Sequence, residues 1–263
     1  MKKVLTIAGS DCSGGAGVQA DIKTITAHKL YALSVITALT AQNTMGVYGV
    51  SDVAPEFVEA QMRACFEDIV PDSVKIGMIS NAQIASCIAG LLSDLGAKNI
   101  VLDPVMVATS GGKLIQTEAI AVLKEELFSL SKIITPNINE AQVLVDGEIE
   151  DIEDMQQAAR ELGEKYNTAV LIKGGHLGEN DATDVLFYEG SFSVFSASKI
   201  STKNTHGTGC TLSSAIACNL ANGKDLVQAV QNAKNFVATA LKSDIKVGHG
   251  CGAIDHYFNI PPL

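Results

Sequence analysis

Near its carboxyl end the chain reads Asn204-Thr-His-Gly207-Thr208-Gly209-Cys210-Thr211, followed by an apolar helical segment. Small residues at a helix start let backbone N–H groups approach an anion, and the helix dipole adds to the attraction. A plain N-cap accounts for part of this pattern, but two glycines flanking a hydroxyl residue exceed what capping needs. Gly207, Thr208 and Gly209 therefore read as an anion hole, with Cys210 beside it. Lys173 ends an apolar strand ahead of Gly174-Gly175-His176. Lysine is rarely buried without a partner, and a phosphate would supply one. Asp103-Pro and Pro136-Asn-Ile-Asn-Glu140 also follow strands. Singly, each acid could cap a helix. Jointly, Asp103 and Glu140 suit Mg²⁺ carried on nucleotide phosphates, which takes one or two carboxylates and keeps several waters.

The first glycine cluster is Gly9-Ser-Asp-Cys-Ser-Gly14-Gly15-Ala-Gly17. It lacks GxGxxG, the next strand offers no acid for a ribose, and Gly15 stands where a P-loop needs lysine. What remains is a tight turn bringing backbone close to a small ligand. Asp21, in the helix that follows, reads either as a solvated acid or as a ligand contact.

Alternating strand and helix patterns must position these groups. Strands are expected over 2–9, 32–41, 46–53, 73–78, 99–103, 132–135, 169–173, 182–188 and 192–197. Helices are expected over 14–30, from Pro55, and over 82–95, 117–127, 139–144, 152–166, 208–220 and 225–241. Such βαβ order implies a three-layer α/β/α fold with a mostly parallel central sheet. No linker or repeat interrupts it, so residues 1–263 read as one domain. Ligands of these sheets bind beyond the carboxyl ends of the strands, where Gly9, Gln42, Met78, Asp103, Pro136 and Lys173 fall.

Composition narrows the function classes. The net charge is −10 and no basic run occurs, which disfavours nucleic-acid binding. No uninterrupted apolar stretch of about 18 residues indicates a membrane span. The amino-terminal segment reads as a buried strand rather than a signal peptide. Six cysteines without CxxC or Cys/His metal spacing fit free thiols in a reducing cytoplasm.

Taken together, AGSDCSGGAGVQADIKT, ITALTAQNT, KIGM, LDPVMVATSG, TPNINEA, LIKGGH and NTHGTGCT resemble the hydroxymethylpyrimidine/phosphomethylpyrimidine kinases of thiamine biosynthesis. The similarity runs in order through nearly the whole chain. It implies a ribokinase-like fold with a small β flap and two successive ATP-dependent phosphorylations. The first falls on the hydroxymethyl oxygen of 4-amino-5-hydroxymethyl-2-methylpyrimidine, the second on the resulting phosphate. By this resemblance Gln42 binds the pyrimidine, Asp21 contacts its amino side, and Gly9, Met78 and Val105 line the pocket. Lys173 reaches ATP phosphates, Asp103 and Glu140 organise Mg²⁺, and Gly207, Thr208 and Gly209 form the anion hole with Cys210 at the acceptor. A monovalent cation is a further candidate cofactor, and a homodimer is the implied assembly.

Most ribokinase-like sugar kinases carry aspartate where Cys210 stands. A helix start lowers a thiol's pKa, while nucleotide phosphates oppose that. A neutral thiol would spare a phosphate acceptor the repulsion a carboxylate would exert. The nearest rival reading is a pyridoxal kinase, whose cysteine-type relatives tend to carry a second cysteine in the flap. Here the flap, 108–113, has none. A catalytically dead ligand sensor is a third reading, disfavoured because Lys173, Glu140 and the glycines are all present.

Overall fold

The computed structural model describes residues 1–107, 114–175, 181–243 and 245–259. The flap 108–113 and His176 lie outside the described residues. In chain order the elements are β1 (Lys3–Asp11), α1 (Gly17–Ala27), β2 (Tyr31–Asn43), β3 (Gly46–Asp52), α2 (Pro55–Asp68) and β4 (Ser73–Ile76). There follow α3 (Ala82–Asp94), β5 (Ile100–Leu102), α4 (Thr117–Val122), β6 (Ile133–Ile134), α5 (Ile138–Val145) and α6 (Ile152–Tyr166). The last are β7 (Ala169–Gly174), β8 (Asp181–Tyr188), β9 (Ser191–Ser198), α7 (Thr208–Ala221) and α8 (Leu226–Lys242).

The strands form one sheet in the order β3-β2-β1-β4-β5-β6-β7-β8-β9. From β2 to β7 the pairing is parallel, so each return needs a crossover, and helices supply it. The edges are antiparallel: β3 pairs with β2, and β8 and β9 close the other side as a hairpin. The β2–β3 hairpin continues the main sheet at one edge.

Strand side chains alternate between faces, and this decides both core and site. Leu5, Ile7, Val74, Ile76, Leu102 and Ile172 pack with α2 to α6. Val4, Val101, Ile133 and Leu171 pack with α1, α7 and α8. Lys75, Asp103, Thr135 and Lys173 share the second parity. They therefore face α1 and α7, and the ones at strand ends reach the amino end of α7.

Local signals set the helix boundaries. Pro55 opens α2, where a missing N–H costs nothing. Asn81, Asp151 and Asp225 cap α3, α6 and α8 by accepting from backbone N–H groups. The helix expected over 117–127 is instead α4 followed by a π-helical turn, Leu123–Leu127. That wider turn keeps Leu123, Leu127 and Phe128 buried together. Among the described residues no helix is long and apolar enough to cross a membrane.

Candidate active site

A cleft opens at the carboxyl edge of the sheet. Its walls include Gly9, Gln42, Met78, Asp103, Val105, Glu140, Lys173, Gly207, Gly209 and Cys210. The alternation of strand and helix brings these residues together from seven separate stretches of chain. Gln42 sits at the end of β2 beside a register shift, where the Cys12 thiol donates to its carbonyl at 3.2 Å. Gly9 is small because a Cβ there would lie 2.8 Å from the Met78 sulfur.

At the amino end of α7, Gly207 holds φ at +84°, a conformation glycine adopts without strain. A Cβ on Gly207 would fall 1.9 Å from the Gly15 carbonyl oxygen, so the two glycine clusters meet backbone to backbone. No side chain caps α7. The first N–H groups of a helix have no partner within it, and those of Gly209 and Cys210 have no acceptor among the described residues. Thr208 departs from its expected place in the anion hole. Its N–H donates to the Thr205 carbonyl at 3.3 Å and its hydroxyl to the same oxygen at 2.7 Å, and it does not line the cleft.

The charged groups form a connected set. Lys173 donates to Asp103 at 2.8 Å, so the partly buried lysine finds a carboxylate within the chain where a phosphate was expected. Asp103 also accepts from Thr135 at 3.2 Å and from Ser213 at 3.4 Å. Burial alone would lower the Lys173 pKa, but the Asp103 and Glu140 carboxylates outweigh it and raise it. Glu140 completes a capping box, accepting from the Asn137 N–H at 2.8 Å while its own N–H donates to Asn137. Burial pushes Glu140 up to about 7; Lys173 opposes this and Asp103 adds to it.

Asp21 is not at the cleft. Both it and Lys75 are fully buried, and Lys75 donates to its two oxygens at 2.9 and 2.8 Å. Thr6 and Ser214 donate to the same carboxylate at 2.5 and 2.7 Å. The expected ligand contact is thus replaced by an internal ion pair whose acceptor sites are taken. That pair sits behind Cys210. Burial pushes the Cys210 thiol up to about 11; Lys75 pulls it down, while Asp21 and Asp103 push it further up. The helix start does not win this balance, and the thiol is neutral at pH 7.

Sequence reasoning missed Asp11 and His206, which also line the cleft. His206 Nε2 donates to Asp11 Oδ2 at 2.8 Å, linking the two glycine clusters. The signal available was only that each sits inside one of those clusters. Asn137 was quoted in its motif but given no role, and it too lines the cleft.

The chain matches the family described as phosphomethylpyrimidine kinase over residues 11–255. It is 48% identical to the thiamine biosynthesis bifunctional protein ThiED of Geobacter sulfurreducens, covering 96% of this chain and 52% of that protein. It thus spans about half the length of that relative. It is 47% identical to the hydroxymethylpyrimidine/phosphomethylpyrimidine kinase of Rhizobium meliloti, covering 96% of each chain. The pyridoxal kinase of Staphylococcus aureus in complex with AMP-PCP superposes with a TM-score of 0.91 at 33% identity, covering 99% of this chain and 95% of that one. With ten of twelve expected residues gathered on one cleft and a family match across nearly its whole length, this chain belongs to the phosphomethylpyrimidine kinase family.

Proposed function

We propose that residues 1–263 act as one kinase domain. It transfers the γ-phosphoryl group of ATP first to the hydroxymethyl oxygen of 4-amino-5-hydroxymethyl-2-methylpyrimidine, then to the monophosphate so formed. The setting is cytoplasmic thiamine diphosphate synthesis. One observation carries this reading: a single cleft is lined both by Gln42, Met78 and Val105 and by Gly209 and Cys210 at the amino end of α7. The ring stacks in the first part and the transferring phosphoryl group lies against the second.

Each side chain then has a task. Gln42 offers an amide that both donates and accepts, matching an aminopyrimidine edge. Gly209 and Cys210 direct N–H groups at the charge that develops during transfer. Lys173 neutralises phosphate oxygens, moving from its Asp103 partner. No cluster of three or more acidic, histidine or cysteine side chains able to hold a metal exists among the described residues. Glu140 and Asp103, two carboxylates lining the cleft with Lys173, are the donors that would meet Mg²⁺ arriving on nucleotide phosphates. Bound there, the ion would supply charge neutralisation between the phosphates. Glu140, buried and short of a countercharge, is a carboxylate that gains from such a cation.

A second cavity, lined by Thr202, Lys203, Asn204, Lys246 and His249, comes within two residues of His206 along the chain and is the proposed place for the remainder of the nucleotide. A homodimer is part of the same reading, supported by the unpaired edge of β3 with Tyr48 and Val50 exposed.

The test is to incubate the purified chain with ATP, Mg²⁺ and the pyrimidine alcohol, with pyridoxal in parallel. Monophosphate followed by diphosphate of the pyrimidine, with higher kcat/KM than for pyridoxal, is the expected result. Preference for pyridoxal, or no diphosphate, would refute the reading.

A further inference from the structure

Asp11 is a buried carboxylate that the chemistry above does not use. It is 1% exposed and receives five hydrogen bonds. Oδ1 accepts from the Ser13 N–H at 2.8 Å and the Ser13 hydroxyl at 2.7 Å. Oδ2 accepts from the N–H groups of Gly15 at 3.0 Å and Ala16 at 2.8 Å, and from His206 Nε2 at 2.8 Å. One side chain thus organises the first glycine turn and grips the loop that opens α7. His206 is held from behind as well: its N–H donates to the Gly252 carbonyl at 3.0 Å. It leaves no room for a side chain on Gly15, whose Cβ would meet its ring at 2.2 Å.

The consequence reaches the reacting centre. His206 immediately precedes Gly207, the left-handed residue that sets the direction of α7 and its free amides. Ala16, held by Asp11, immediately precedes Gly17, whose N–H donates to the Cys210 sulfur. A carboxylate accepts only, so every contact around Asp11 is matched in one arrangement alone. Its two oxygens are taken up by these five donors.

We propose that Asp11 and His206 are positioning residues for phosphoryl transfer: they lock the first glycine turn to the start of α7 and so fix the Gly209 and Cys210 amides and the Cys210 sulfur relative to the substrate. The proposal rests on the kinase reading. It places neither residue on the substrate, so loss of the link should lower kcat and spare binding.

The test uses Asp11→Asn, His206→Leu, His206→Gln and the double variant Asp11→Asn/His206→Leu, each checked for folding by circular dichroism. Misplacing reacting groups by about 1 Å costs on the order of 10²-fold, so Asp11→Asn and His206→Leu should each lose about that much kcat in the first phosphorylation, with KM for the pyrimidine alcohol within about 3-fold. His206→Gln keeps an N–H near the place of Nε2 and should return kcat to within about 3-fold of the parent. The double variant should lose no more than the worse single one, because the two residues act as a unit. If Asp11→Asn does not fold, the two His206 variants decide. An unfolded His206→Leu, a His206→Leu with parental kcat, a His206→Gln no better than His206→Leu, or multiplying losses would each overturn the proposal. A parent protein that transfers no phosphoryl group would sink the kinase reading and the proposal with it; an active parent with unaffected variants sinks the proposal alone.

Discussion

Cys210 is where residue chemistry and function meet. Its thiol is neutral at pH 7 because burial and the Asp21 and Asp103 carboxylates outweigh Lys75. A neutral group can sit beside a hydroxyl acceptor and beside a phosphate acceptor alike. A carboxylate about 4 Å from a phosphate charge, at an effective dielectric near 20, meets repulsion of roughly 4 kcal/mol. Cys210→Asp should therefore keep part of the first phosphorylation and lose the second by a further factor of about 10³, read from separate initial rates on the alcohol and the monophosphate. Equal losses in both steps would contradict this. Asp11 gives a prediction in pH. Burial would raise its pKa, but His206, Ser13 and Ala16 hold it at about 2, below the unfolded 3.8. The stability it contributes, about 2 kcal/mol, is fully present above the unfolded value and is lost as pH falls through the folded one. Chemical denaturation should show Asp11→Asn weaker than the parent by about that amount at pH 7, with the gap closing in acid. That Cys210 and Lys173 would line one cleft was legible because their motifs are local. The true partner of Asp21 was not, because Lys75 lies 54 positions away and only the fold makes them neighbours.

Elements carry the precision of the site. α7 has no side-chain cap, and its first turn is placed instead by Gly207 against Gly15. Gly207→Ala puts a Cβ at 1.9 Å from a carbonyl oxygen and a side chain at φ +84°. It should destabilise the protein by about 1–3 kcal/mol and cut kcat by on the order of 10²-fold, since the loops must part. Gly90, exposed in the middle of α3 with open space around its would-be Cβ, is the contrast. Gly90→Ala should raise stability by roughly 1 kcal/mol and leave kcat unchanged, both read by denaturation and initial rates. Helix and strand positions were readable because hydrophobic period and caps agree with them, as at Asn81, Asp151 and Asp225. The π turn at Leu123–Leu127 was not, since one extra residue per turn leaves the apolar spacing almost unchanged. Thr208 was misread for a related reason: spacing locates a helix start but not which N–H turns back on its own loop.

At the scale of the molecule, the site exists because strand parity sorts polar from apolar residues. One face of the sheet packs α2 to α6, and the other packs α1, α7 and α8. Lys75, Asp103 and Lys173 fall on the second face, between its apolar residues, and the parallel order aligns their strand ends at one edge. That arrangement was predictable from βαβ order. The pairing of Asp11 with His206, 195 positions apart, was not. The account's central claim is that ring pocket and phosphate notch converge on Cys210. The most direct measurement is a crystal structure with the pyrimidine alcohol, Mg²⁺ and AMP-PCP bound. The ring should lie beside Gln42 and Met78, its hydroxymethyl oxygen next to the Cys210 sulfur, and the terminal phosphate on the Gly209 and Cys210 amides within reach of Lys173. A ring or a terminal phosphate bound away from α7 would contradict it.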